Sequence, residues 1–93
     1  MAEFVNKVTL QGQIGDYFIH KLTTDDSCVC FVLYVEDSRI DCFTTKRSDP
    51  DFFLQCATGK VQTGDWIRLE GFLHVVPDFS NKVVCTTVAV LPE

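Results

Sequence analysis

Few side chains in this sequence are both reactive and spaced to work together. The five cysteines, Cys28, Cys30, Cys42, Cys56 and Cys85, sit in apolar, strand-like or helix-like contexts. They form no C-x-x-C, and no paired histidines accompany them, which argues against a zinc site. Cys28 and Cys30 share one face of a strand, a poor geometry for a disulfide with each other. The five therefore read as free, buried thiols in a reducing compartment. His20 and His74 have no evident acid–base partner, and Ser27 and Ser38 have no base to activate them. No glycine-rich loop suits a nucleotide phosphate. Neither a catalytic residue, a metal ligand nor a cofactor is expected, and an enzyme is not the reading.

A different chemistry is available on the stretch Gly64-Asp65-Trp66-Ile67-Arg68-Leu69-Glu70-Gly71-Phe72-Leu73-His74. A Gly-Asp turn launches a strand in which Ile67, Leu69, Leu73 and Val75 share one parity. Trp66, Arg68, Glu70, Phe72 and His74 take the other. Side chains alternate between the faces of a strand, so the first set points to a core and the second away from it. Gly71 interrupts the core-facing parity and predicts a bulge or sharp bend, which a strand coiling around a small core requires.

The elements around that strand follow in chain order. Residues 4–15 alternate, with Val8, Leu10, Gly12 and Ile14 on one face and Lys7, Thr9, Gln11 and Gln13 on the other. Gly15-Asp16 is expected to end this strand. Residues 17–27 read as an irregular connection that lays Tyr17, Phe18 or Ile19 against the barrel. Residues 28–35 form a strongly apolar strand, a polar break follows at Glu36-Asp37-Ser38, and residues 39–45 resume, so the pair reads as a tight hairpin. The period then changes. Ser48-Asp49-Pro50-Asp51 supplies a cap, a first-turn proline and an acid at a helix start. Phe52, Phe53, Leu54, Cys56 and Ala57 follow, and Gly59 terminates a helix of about two turns. After the strand from Asp65, residues 77–81 form a turn and residues 82–91 a last β-branched strand.

Ninety-three residues, 46% of them hydrophobic, make a single folded domain over 1–93. No apolar run approaches the ~20 residues of a transmembrane helix, and no charged-then-apolar leader precedes Phe4, so a cytoplasmic protein without membrane association is expected. Eight basic against thirteen acidic residues give a net charge of −5. That balance argues against tight, nonspecific nucleic-acid binding, although a local basic face can coexist with it. Three strands, a helix and two more strands, all short and coiled, describe an all-β OB-fold: a five-stranded Greek-key barrel with one short helix between strands 3 and 4.

The residues also resemble a family. Asn6-Lys7-Val8-Thr9-Leu10-Gln11-Gly12-Gln13-Ile14-Gly15 is similar to the opening strand of bacterial single-stranded DNA-binding proteins and of the related primosomal replication protein N. Phe31-Val32-Leu33 resembles their second strand, Thr63-Gly64-Asp65-Trp66-Ile67-Arg68-Leu69-Glu70-Gly71-Phe72-Leu73 their fourth, and Thr86-Thr87-Val88-Ala89-Val90-Leu91 their last. The resemblance implies a non-enzymatic module that binds single-stranded DNA, or RNA, in replication, repair or recombination. Aromatic side chains would stack on bases, and Lys or Arg would track phosphates. The candidates on this chain are Lys7, Arg39, Phe43, Lys46, Arg47, Trp66, Arg68, Phe72 and Lys82. Trp66 could equally fill a subunit interface, Tyr34 could stack or cover the barrel, and Lys46-Arg47 could be a solvated strand end. One departure stands out: Asp41 occupies the third strand where the family tends to place an outward aromatic. The resemblance further implies a homo-oligomer, a dimer or tetramer, and replication or repair proteins as partners. The competing reading, favoured by the charge, is an OB-fold protein-interaction or adaptor subunit that has lost nucleic-acid binding.

Overall fold

Six elements follow in the expected order in a computed structural model that describes residues 2–74 and 82–92. They are β1 (Val8–Lys21), β2 (Ser27–Val35), β3 (Ser38–Thr45), α1 (Pro50–Ala57), β4 (Trp66–His74) and β5 (Lys82–Val90). The strands close into a barrel in the order β1-β2-β3-β5-β4. β4 pairs back onto β1, and β3 meets β5 in parallel while the other pairs are antiparallel. This is the five-stranded OB architecture, with its helix between β3 and β4. The expected turn at residues 77–81, like Val75, lies outside the described residues.

β1 does not end at Gly15-Asp16. It runs on to Lys21, and residues 17–21 pair with β2 from Phe31 to Ser27. Ile14 faces Leu33 while Tyr17 faces Phe31, so one extra residue is accommodated at Gly15-Asp16. The dipeptide is a β-bulge and not a stop. A bulge inverts the alternation beyond it, so Tyr17 packs against the core and Phe18 and His20 face out. Tyr34 lies over this bulge: a Cβ built on Gly15 would stand 2.6 Å from the Tyr34 ring. The true connection to β2 is residues 22–26, closed by the amides of Leu22 and Thr23 donating to the Asp26 carbonyl.

A second bulge sits between β4 and β5, where Glu70 pairs with Thr87 and Gly71 with Cys85. Thr86 is the extra residue, and its hydroxyl donates to the Glu70 carbonyl at 3.1 Å. Here the strands touch backbone to backbone, since a Cβ on Gly71 would lie 1.9 Å from the Val84 carbonyl oxygen. Only glycine fits that approach. Ile67 and Leu69 point inward as expected and are fully buried. Leu73 does not: it is 40% exposed, because the bend at Gly71 carries the strand out of the core. Asn6 fixes the strand there, accepting from the Leu73 amide at 2.9 Å and donating to its carbonyl at 2.8 Å.

The helix starts and stops by local chemistry. Asp49 is the N-cap, with Pro50 at the first helical position. At the other end Gly59 donates to the Cys56 carbonyl and Lys60 to that of Gln55, a Schellman termination. Phe52 and Cys56 seal the barrel interior, and the Phe52 ring meets Phe31 edge to face at 5.6 Å. Asp49 does more than cap. One carboxylate oxygen accepts from the Phe52 amide at 3.1 Å, and the other accepts from the Val88 amide of β5 at 2.7 Å.

The buried thiols behave as small hydrophobes. Burial pushes Cys56 up to about 11. A hydrogen bond with Cys42, together with burial, raises Cys85 further. A thiol whose folded-state pKa exceeds its unfolded value of 9.0 stabilises the fold fully below that pH and ceases to do so as pH rises toward about 11. Urea midpoints should therefore decline between pH 9 and about 11, and Cys56→Ala should flatten the decline. Asp49→Ala should cost about 1–3 kcal/mol in urea unfolding, through a lost cap and an orphaned Val88 amide. A loss within about 0.5 kcal/mol, the range of ordinary surface substitutions, would contradict the double role.

Candidate nucleic-acid interface

Cross-strand pairing assembles one row of outward side chains from all five strands. Phe18 of β1 pairs with Cys30 of β2, and Cys30 with Phe43 of β3. Phe43 pairs with Val84 of β5, and Val84 with Phe72 of β4. With strands about 4.8 Å apart, four spacings give a row of roughly 19 Å measured along the sheet. Its ends are open, with Phe18 61% and Phe72 38% exposed, and its middle is half-buried. Phe18, Phe43 and Phe72 thus offer three aromatic surfaces on one track.

The neighbouring row is charged. Val32 pairs with Asp41, and Lys82 pairs with His74. The parallel register of Cys42 with Val83 sets Asp41 beside Lys82. At the Phe18–Cys30 end of these rows lies a recess of about 230 Å³, lined by Asp16, Phe18, Cys30, Val32, Arg39, Asp41 and Lys82 among others. Two carboxylates and two cations share it, so the recess is close to electroneutral. Next along the strands, the Cys28 and Cys30 sulfurs approach to 3.9 Å as free thiols. Burial, reinforced by Cys30, pushes Cys28 up to about 11, and the Lys82 ammonium acts in the opposite sense.

The expected residues are distributed unequally over this surface. Arg39, Phe43, Phe72 and Lys82 come together on it. Lys7 flanks the Phe72 end, held between the Val8–Gly71 pair and the Asn6–Leu73 clasp. Trp66 lies outside the aromatic row, at the far end of a third row that runs through Gln13 and Tyr34 to Arg39. It is 48% exposed and borders a separate recess of about 400 Å³ with Gln11, Gln13 and Glu36. Arg68 pairs with Gln11 and Ala89, further around the barrel wall. Lys46 turns toward the helix, its ammonium 5.7 Å from the centroid of the Phe53 ring, in cation–π range. Arg47 is exposed in the turn after β3.

Phe18, Val84 and Cys30 were not among the expected site residues. Phe18 had a signal in the sequence, since Tyr17-Phe18-Ile19-His20 alternates once the bulge is recognised. Val84 had none, because nothing local says that β5 inserts between β3 and β4. Among the described residues no three or more His, Cys, Asp or Glu side chains are grouped to hold a metal ion, and no helix is long and apolar enough to cross a membrane.

No family model matches the sequence, and no curated protein matches it either. Solved structures do. The SSB domain of a Synechococcus protein superimposes with a TM-score of 0.72 at 14% identity, covering 95% of this chain and 98% of that one. The N-terminal domain of the PriB protein from Thermoanaerobacter tencongensis, described as dimeric, gives 0.68 at 17% identity over 95% and 98%. The single-stranded DNA-binding protein of Thermus aquaticus gives 0.76 at 17% identity, with 96% of this chain and 41% of that one covered. At these identities the likeness extends to the whole course of the backbone, and the chain has the OB-fold that these proteins share.

Proposed function

We propose that this chain is a non-enzymatic module that binds single-stranded DNA across the outer face of its barrel, serving replication, repair or recombination. The observation that carries the reading is the row Phe18–Cys30–Phe43–Val84–Phe72, which places aromatic surfaces in line from β1 to β4. Every base has a π-face, so such a row takes successive bases without regard to most of their sequence, at roughly 1–3 kcal/mol per stacked base. Lys7, Arg39 and Lys82 lie around the row, where they can meet phosphates. The names of the SSB domain, the PriB domain and the Thermus protein agree with this reading.

The charge sets the character of the complex. With a net −5 over the chain and few cations at the face, stacking contributes more of the affinity than phosphate neutralisation does. Three phosphate contacts on a single strand correspond to a salt slope of roughly −2. A homo-oligomer, most economically a dimer as described for the PriB domain, would join two such faces into one longer track and raise avidity without new contacts. Replication or repair proteins and a cytoplasmic setting belong to the same reading.

Fluorescence anisotropy of a labelled, mixed-sequence single strand tests it. Saturable binding that weakens shallowly with salt is expected. Phe43→Ala and Phe72→Ala should each weaken it about 5- to 150-fold, the equivalent of one lost stack. Trp66→Phe should change it little. Absence of binding at tens of micromolar protein in low salt, with the protein shown to be folded, would overturn the reading.

A further inference from the structure

We infer that Asp41 makes this face selective for bases bearing an exocyclic amino group, cytosine foremost, over thymine. The inference rests on the single-strand reading and concerns one nucleotide position within it. The recess beside the aromatic row is lined by Asp16 and Phe18 of β1, Cys30 and Val32 of β2, Arg39 and Asp41 of β3, and Lys82 of β5. Its two carboxylates offset its two cations, so it attracts a phosphate less than two unopposed cations would. A base fits that chemistry better: an apolar wall for the ring, and hydrogen-bonding groups for the edge.

Asp41 is the group that reads the edge. It is half-buried in mid-strand between Val32 and Lys82, whereas Asp16 is exposed on the β1 bulge. An ionised carboxylate only accepts hydrogen bonds. Cytosine presents its N4 amino group to such an acceptor, and its neighbouring N3 and O2 acceptors suit the Lys82 ammonium or the Arg39 guanidinium. In the same pose thymine sets O4 where cytosine has its amino group and sets its N3–H against the Lys82 and Arg39 donors. Lone pairs then face lone pairs and donor faces donor, and the N3–H meets Asp41 only from a shifted pose. A buried polar group left opposed discriminates more strongly than an added contact does.

The test compares labelled oligo-dC and oligo-dT of equal length at mildly alkaline pH, where the cytosine strand stays unpaired. The parent protein should bind oligo-dC about fivefold or more tighter than oligo-dT, the lower end of what one matched base edge supplies. Asp41→Asn should collapse that ratio toward one by tightening oligo-dT, because the asparagine amide can donate to O4. Removal of a negative charge alone strengthens both strands equally and leaves the ratio in place, as Asp16→Asn should show. A damaged fold cannot tighten oligo-dT. Equal affinities in the parent, or a ratio that survives Asp41→Asn, would overturn the selectivity while leaving single-strand binding standing. If neither strand binds, the functional reading itself fails and the selectivity falls with it.

Discussion

The barrel depends on its seam between β3 and β5. Both strands run in the same direction there, with Cys42 paired to Val83 and Phe43 to Val84. Parallel pairing is slightly weaker per residue than antiparallel pairing, and two side chains reinforce it. Thr44, fully buried, donates its hydroxyl to the Cys85 carbonyl at 2.9 Å. Asp49 reaches from the helix cap to the Val88 amide. One carboxylate therefore starts the helix that plugs the barrel and also ties down the strand that closes it. The seam is structural, and it also creates the candidate site. Phe43 on one side and Phe72 on the other belong to a single track only because Val84 stands between them.

The electrostatics of the face follow from the same arrangement. An acidic chain cannot rely on a broad positive field to hold a polyanion, and the cations at this face sit close to acids. Arg39 and Lys82 share their recess with Asp16 and Asp41. What the face offers in quantity is apolar and aromatic surface, half-buried in the middle and open at both ends. That division favours bases over phosphates; Trp66 and Arg68 lie outside the five-strand row, on other rows of the same barrel.

Much of this was legible in the sequence where the controlling physics is local. Asp49-Pro50 and Gly59 mark the ends of the helix because capping is satisfied within a few residues. The outward candidates Arg39 and Phe43 of β3 do face out of the barrel, and the order of elements led to the OB fold. The departures arise where partners distant in sequence decide the local geometry. Gly15-Asp16 carries the same local signal whether the chain turns or bulges, and only the pairing of residues 17–21 with β2 decides between them. The bulge then inverts parity, which brings Phe18 to the surface and places it opposite Cys30. Leu73 had the core parity but lies beyond the bend that Gly71 permits. Trp66 and Arg68 have the outward parity of Phe72, as expected, and because a closed barrel points outward in every direction, alternation does not say which outward rows lie together.

Mapping by amide chemical-shift perturbation would test the central claim most directly, with a short single strand titrated into labelled protein. If the five-strand row is the binding track, the largest shifts fall on Phe18, Cys30, Phe43, Val84 and Phe72, with Asp41 and Lys82 next to them. Shifts concentrated on Gln11, Gln13, Trp66 and Arg68, with the row unmoved, would contradict it and move the site to the β1–β4 rows that carry those residues.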